Sequence, residues 1–155
     1  MSQPEPDSWS LDLPDEAATA LLAGRLAGLA RAGDVIALKG GLGAGKTSLA
    51  RAFLRARAGD PALEVPSPTF TLVQPYDLPD GTVWHFDLYR LARPEEAWEL
   101  GIEEAFGQVI ALIEWPENLG ALLPSEHLEI RLASGASLRP PPASSRSSSP
   151  SRSAA

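Results

Sequence analysis

The chain has 155 residues, a length that fits one domain better than two, with 15 prolines, 13 glycines and no cysteine, and its 13 Lys+Arg against 20 Asp+Glu give a formal net charge of −7. These counts exclude a second catalytic domain, a disulfide scaffold, a thiolate metal site and a cysteine nucleophile, and they argue against a protein that coats nucleic acid by charge. No apolar run nears the roughly 20 residues that a membrane-spanning helix needs, and the acidic start Met1-Ser2-Gln3-Pro4-Glu5-Pro6-Asp7 lacks a signal peptide's basic head, so a soluble cytoplasmic protein is expected.

Trp9-Ser10-Leu11-Asp12-Leu13 alternates and predicts a short edge strand, after which Pro14-Asp15-Glu16 opens a helix with proline and acids in its first turn. Leu22, Leu26 and Leu29 supply the helix's apolar stripe and Gly33 its C-cap. Asp34 to Lys39 reads as a buried parallel strand, and Lys46 to Ala58 as a helix with Leu49 and Phe53 facing one way, stopped at Gly59-Asp60-Pro61. Phe70 to Tyr76 and Thr82 to Tyr89 predict an antiparallel pair joined across Asp77 to Gly81. Pro94 starts a helix with Ala97, Trp98 and Leu100 as its apolar side, while Glu95, Glu96, Glu99, Glu103 and Glu104 read as its solvated face. Val109 to Ile113 is a second wholly apolar strand, ending in Glu114, and Leu128 to Leu132 alternates as the last strand. Strands alternating with helices around two buried strands predict an α/β three-layer sandwich, its sheet mostly parallel with antiparallel additions.

Residues 1–8 read as a flexible N-terminus, 9–134 as the folded domain and 135–155 as a disordered Ser/Pro/Arg-rich tail. From Arg139 onward the tail contains only Ser, Pro, Ala and Arg, with no large apolar side chain to offset the entropy of ordering. Its three Arg are its only charges, so residues 1–138 carry ten basic groups against twenty acidic ones.

Gly40-Gly41-Leu42-Gly43-Ala44-Gly45-Lys46-Thr47 fits G-x-x-x-x-G-K-[ST] in full, between a predicted strand and a predicted helix, which makes the sandwich one of the P-loop NTPase type. The glycines let backbone N–H groups turn inward around phosphate oxygens, and the helix N-terminus adds its dipole. Lys46, one of only two lysines in the chain, is placed to reach the β- and γ-phosphates, and Thr47 offers its hydroxyl to Mg²⁺. The nucleotide-binding set is Gly41, Leu42, Gly43, Ala44, Gly45, Lys46, Thr47 and Ser48, with ATP and Mg²⁺ as the expected ligands.

Such a loop needs a carboxylate at the end of a neighbouring strand to hold the metal or its waters. Two compete. Glu114 ends the apolar strand best suited to lie parallel beside Asp34 to Lys39, and Asp87 ends the run that contains His85; one of them could serve the metal and the other the attacking water. Ser67-Pro68-Thr69 is either a plain turn or a hydroxyl-bearing switch that senses the γ-phosphate. His85 reads as a structural histidine more readily than as a base. Arg90 and Arg93 read as surface or partner contacts more readily than as phosphate ligands.

Taken together, Leu-Gly-Ala-Gly-Lys-Thr at 42–47, Ser-Pro-Thr-Phe-Thr-Leu-Val at 67–73, His-Phe-Asp-Leu-Tyr-Arg-Leu at 85–91, Pro-Glu-Glu at 94–96, Leu-Gly-Ile at 100–102 and Ile-Glu-Trp-Pro at 113–116 resemble the TsaE (YjeE) family. This family consists of small bacterial P-loop ATPases needed to make threonylcarbamoyladenosine in tRNA, and the ordered blocks resemble it from about Leu11 to Leu132. The resemblance implies that Lys46 and Thr47 hold phosphates and Mg²⁺, that Glu114 is a metal-site carboxylate and that Asp87 is a second required acid. It also implies that Ser67 and Thr69 are switch residues, that Trp115 lies near the nucleotide, and that the partners are the TsaB–TsaD pair, with tRNA reached only through that complex. Two departures stand out. Gly41 occupies a loop position where the family commonly has an acid, and Gly135-Ala136-Ser137-Leu138 runs into the tail where the family usually continues with a further strand, so an exposed sheet edge is expected.

Three other readings fit less well. A small-molecule kinase needs an Arg-bearing lid, and a regulatory GTPase needs an Asn-Lys-x-Asp or Thr-Lys-x-Asp motif, which is absent from the sequence. A non-hydrolysing adaptor stays open. No residue is an obvious arginine finger, so slow intrinsic hydrolysis completed by a partner is expected.

Overall fold

Asp15 starts the first helix: its carboxylate accepts the Ala18 N–H at 2.9 Å and caps α1 (Glu16–Leu29). The computed structural model describes residues 10–133 and 152–154. On α1 the buried face is Ala23, Leu26 and Ala27, with Leu22 packed at its margin, whereas Leu29 is 74% exposed. Two alanines therefore replace Leu29 in the predicted stripe, and they let α1 approach α2 (Lys46–Ala58) closely. The C-cap is Ala30, not Gly33. Gly33, at φ 97°, instead turns the chain and donates its N–H to the Val109 carbonyl.

The seven strands are β1 (Ser10–Leu11), β2 (Val35–Lys39), β3 (Val73–Leu78), β4 (Gly81–Asp87), β5 (Ile110–Glu114), β6 (Leu128–Leu132) and β7 (Arg152–Ala154). They lie in the order β1-β7-β6-β2-β5-β4-β3, every neighbouring pair parallel except β3 with β4. This is the expected mostly parallel sheet with an antiparallel addition, and of the run read as an edge strand Ser10–Leu11 pair at the sheet edge. Alternation along the strands makes two cores. Ile36, Leu38, Val83, Ile110, Leu112 and Ile130 face α1 and α2. Val35, Phe86, Ala111 and Ile113 face the other way, onto two 3₁₀ stretches (Pro94–Leu100 and Pro116–Leu122) and α3 (Ile102–Ala105).

Three predicted elements differ in detail. β3 begins at Val73 rather than Phe70, because Leu72 sits at φ 69° and its N–H closes a turn onto the Pro68 carbonyl at 2.7 Å. The helix predicted from Pro94 is a 3₁₀ stretch ended by Gly101 at φ 79° and followed by α3. With three residues per turn, Ala97 turns inward while the next residue, Trp98, is left 48% exposed. The third difference is in the tail: Arg152–Ala154, inside the segment expected to be disordered, pair with β6 and β1 as β7, so β6 has a neighbour on both sides. Strand pairing uses only backbone N–H and C=O groups, which any non-proline residue supplies. Residues 1–9, 134–151 and 155 lie outside the described residues, as do the expectations that fall on them.

Candidate active site

The turn from β2 into α2 is the phosphate-loop sequence, and its backbone needs glycine where φ is positive, as Gly40 and Gly45 show. Gly40 has φ 149°, and a Cβ at this position would lie 2.6 Å from the Leu132 carbonyl oxygen. Gly45, at φ 105°, is the left-handed residue from which α2 starts. Lys46 opens α2 and folds back over the loop, donating to the Gly40 carbonyl at 2.6 Å and the Gly41 carbonyl at 2.7 Å. Burial pushes its ammonium below the ordinary 10.5, against the opposing pull of Glu114, Glu117 and Asp87.

The acidic wall comes from β4 and β5. Their register sets Asp87 opposite Glu114 and His85 opposite Leu112. Period-2 alternation then turns His85, Asp87 and Glu114 toward the α2 face that carries Val83 and Leu112. Both acids thus stand at the carboxyl ends of parallel strands beside the loop, where open α/β sheets bind their ligands. Glu114 is buried and accepts the Thr47 hydroxyl on Oε1 at 2.9 Å, while its Oε2 lies 2.7 Å from His85 Nε2. Asp87 accepts the Tyr89 N–H at 3.1 Å and lies 3.5 Å from the Ser67 hydroxyl, which in turn is 2.9 Å from that of Thr69. Burial pushes the Asp87 carboxyl above its ordinary 3.8; the Tyr89 N–H draws it back, and Glu114 opposite pushes in the same direction as burial.

Trp115, immediately after Glu114, takes a left-handed φ of 59°, uncommon outside glycine. This turn lays its ring 4.1 Å from Lys46 Nζ and 4.9 Å from the Tyr89 ring. The resulting cleft, about 430 Å³, brings Leu42, Gly43, Gly45, Lys46, Thr47, Ser48, Ser67, Thr69, Asp87, Glu114 and Trp115 to one surface. Gly41 and Ala44 do not line it. They shape the loop instead, the Ala44 N–H donating to the Gly41 carbonyl at 3.2 Å. Arg90 also lines the cleft and stacks over the exposed Phe70 ring at 4.9 Å, whereas Arg93 is not part of the lining.

The sequence reading missed the contact of His85 with Glu114. The signal was present in the alternation Val83-His85-Asp87, which puts histidine on the face of the acids, although the strand that supplies Glu114 had to be known as its neighbour. Tyr89 as a wall of the cleft was also missed.

The donors around Thr47 and Glu114 are hydroxyl and carboxylate oxygens, which suit Mg²⁺. Among the described residues no group of three or more His, Cys, Asp or Glu converges as a cage for a metal ion, so an ion held here would take most of its ligands from phosphate and water, as Mg²⁺ commonly does.

Residues 13–139 match the family described as "Threonylcarbamoyl adenosine biosynthesis protein TsaE". Similar curated proteins carry the name tRNA threonylcarbamoyladenosine biosynthesis protein TsaE. The one from Rickettsia felis is 42% identical over 122 residues, 79% of this chain and 71% of the relative. The one from Bacillus subtilis is 38% identical over 125 residues, 79% of this chain and 74% of the relative. Among solved structures, the crystal structure of Bacillus subtilis YdiB superposes with a TM-score of 0.62 at 32% identity, covering 78% of this chain and 73% of the other. With a family match across most of its length, and with residues of the loop, of the acidic wall and of the Ser67–Thr69 segment gathered in one cleft, the chain belongs to the TsaE family.

Proposed function

We propose that the chain is a Mg²⁺-dependent ATPase that supports threonylcarbamoyladenosine modification of tRNA by acting with a TsaB–TsaD complex. The observation that carries this reading is the β4–β5 register, which sets two carboxylates side by side at the mouth of a complete phosphate loop. Membership of a family named for this modification supplies the biological setting.

In this reading the N–H groups of the loop and Lys46 bind the β- and γ-phosphates, Lys46 exchanging its bonds to Gly40 and Gly41 for phosphate oxygens. Thr47 and Glu114 hold Mg²⁺, which supplies charge neutralisation at the γ-phosphate. Glu114 already has both oxygens engaged, so Asp87, with one of its oxygens near only the Ser67 hydroxyl at 3.5 Å, is the acid that orients the attacking water. Ser67 and Thr69, whose hydroxyls lie 2.9 Å apart on the cleft wall, act in this reading as the switch, a γ-phosphate changing that pairing. Trp115 covers the Lys46 side of the cleft and limits water there.

Hydrolysis of ATP, measured with Mg²⁺ alone and with the TsaB–TsaD pair added, tests the proposal. Slow turnover that the pair accelerates and that Glu114→Gln and Asp87→Asn each reduce by on the order of a hundredfold is expected. Fast turnover indifferent to the pair would remove the partner from the mechanism. Tight ATP binding with no hydrolysis under either condition would leave an adaptor.

A further inference from the structure

His85 is wholly buried on β4, two residues before Asp87, and it does not line the cleft. That position denies it contact with water or a phosphate, so it does not serve as a base. What it does touch is Glu114: Nε2 stands 2.7 Å from Oε2, while Nδ1 has no hydrogen-bond partner among the described residues. Against an ionised carboxylate, which only accepts, this short contact is a hydrogen bond only with the proton on Nε2. Nδ1 is then a bare lone pair, a smaller cost than a buried N–H left without an acceptor.

The register explains why Glu114 needs such a partner. Asp87 is directly opposite it, and like charges in that relation repel. His85 lies one diagonal step back along the same face, within reach of a long side chain. With Thr47 on one oxygen and His85 on the other, the carboxylate has a donor for each oxygen and therefore one preferred orientation.

We infer that His85 is a positioning residue: its Nε2–H fixes the Glu114 carboxylate toward Thr47 before metal and nucleotide bind. This rests on the reading of Thr47 and Glu114 as the Mg²⁺ site. Groups that orient metal ligands from behind change metal affinity by roughly 10–100-fold when removed, and an effect of that size is expected here.

Calorimetric titrations of ATP into the full chain, at a series of Mg²⁺ concentrations and in EDTA, provide the test. For His85→Leu, which keeps bulk and removes the donor, the half-saturating Mg²⁺ concentration rises at least about tenfold while the affinity measured in EDTA stays unchanged. His85→Gln, which retains an N–H able to reach the same oxygen, restores most of the Mg²⁺ dependence. Nitrogen-15 spectra of the parent without metal or nucleotide show the Nε2–H tautomer. The inference is overturned by an Nδ1–H tautomer, by an unaltered Mg²⁺ dependence in His85→Leu, or by a His85→Gln as impaired as His85→Leu. Should His85→Leu fail to fold, His85→Gln and the tautomer decide. If the parent itself shows no Mg²⁺-dependent ATP binding, the functional reading fails, and the tautomer still reports on the His85–Glu114 bond.

Discussion

The two faces of β4 and β5 come from alternating residues of the same two strands, yet they do different work. On one face Trp84, Phe86, Ala111 and Ile113 pack an apolar core under the 3₁₀ stretches. On the other, Val83, Ile110 and Leu112 start a core against α1 and α2, but toward the carboxyl end it gives way to His85, Asp87 and Glu114, all buried. Burying ionisable groups is costly unless they are bonded, and here they are bonded to one another and to Thr47 and Tyr89. The contrast teaches that the 3₁₀ side of these two strands is apolar throughout, whereas the α2 side passes from core to ionisable cleft at its carboxyl end, so changes at the two places should separate stability from binding.

The largest effect expected is on the apolar face. Phe86→Ala, at a position with no exposure, should cost about 3–5 kcal/mol in urea unfolding while the folded fraction keeps its ATP affinity; a parallel loss of affinity would break the proposed separation. On the other face, Lys46→Ala should weaken Mg²⁺–ATP binding by roughly 10–100-fold in calorimetry and leave the unfolding midpoint nearly where it was. Equal affinity in this variant would remove Lys46 from the site. Arg57 sharpens the comparison, since its guanidinium donates to the Ala27, Ala30 and Asp80 carbonyls and so ties α1 and the β3–β4 turn to α2. Arg57→Ala should destabilise by about 1–3 kcal/mol in the same unfolding assay without touching the cleft.

The smallest effect is a pH dependence. Because burial raises Asp87 above 3.8, the folded chain holds that proton more tightly than the unfolded chain, and stability falls as pH rises from 3.8 through the raised value. Asp87→Asn should therefore melt slightly higher than the parent at neutral pH, with the difference vanishing below the ordinary carboxylate range. A variant that melts lower at neutral pH would show that the carboxylate's bonds outweigh its burial. Glu129 behaves oppositely: burial pushes it up, but Arg131 and Lys39 together hold it below 4.5, so its contribution is present at neutral pH and fades as pH falls through the lowered value.

Local features were legible from the chain alone. The phosphate loop, β2, α2 and β6 follow from short-range patterns: glycines where φ is positive, an unbroken apolar run, a 3.6-residue period, an alternation. Their physical causes act within a few residues, so the string of side chains carries them. Reading failed where a neighbour in space decided the outcome. Leu29 fits an apolar stripe, but it is Ala23 and Ala27 that are buried in the core shared with α2 while Leu29 stays exposed. Leu72 fits a strand, but its turn onto Pro68 folds the 67–72 loop beside the cleft. His85 fits a buried strand, and nothing local says that Glu114 lies 2.7 Å away. The sequence by itself determined that a phosphate loop stands between a buried strand and a helix and that Glu114 and Asp87 end strands. Only the tertiary structure decided that those strands are neighbours in a register that sets the acids opposite each other with His85 one diagonal step behind, because pairing depends on which faces the whole sheet can bury.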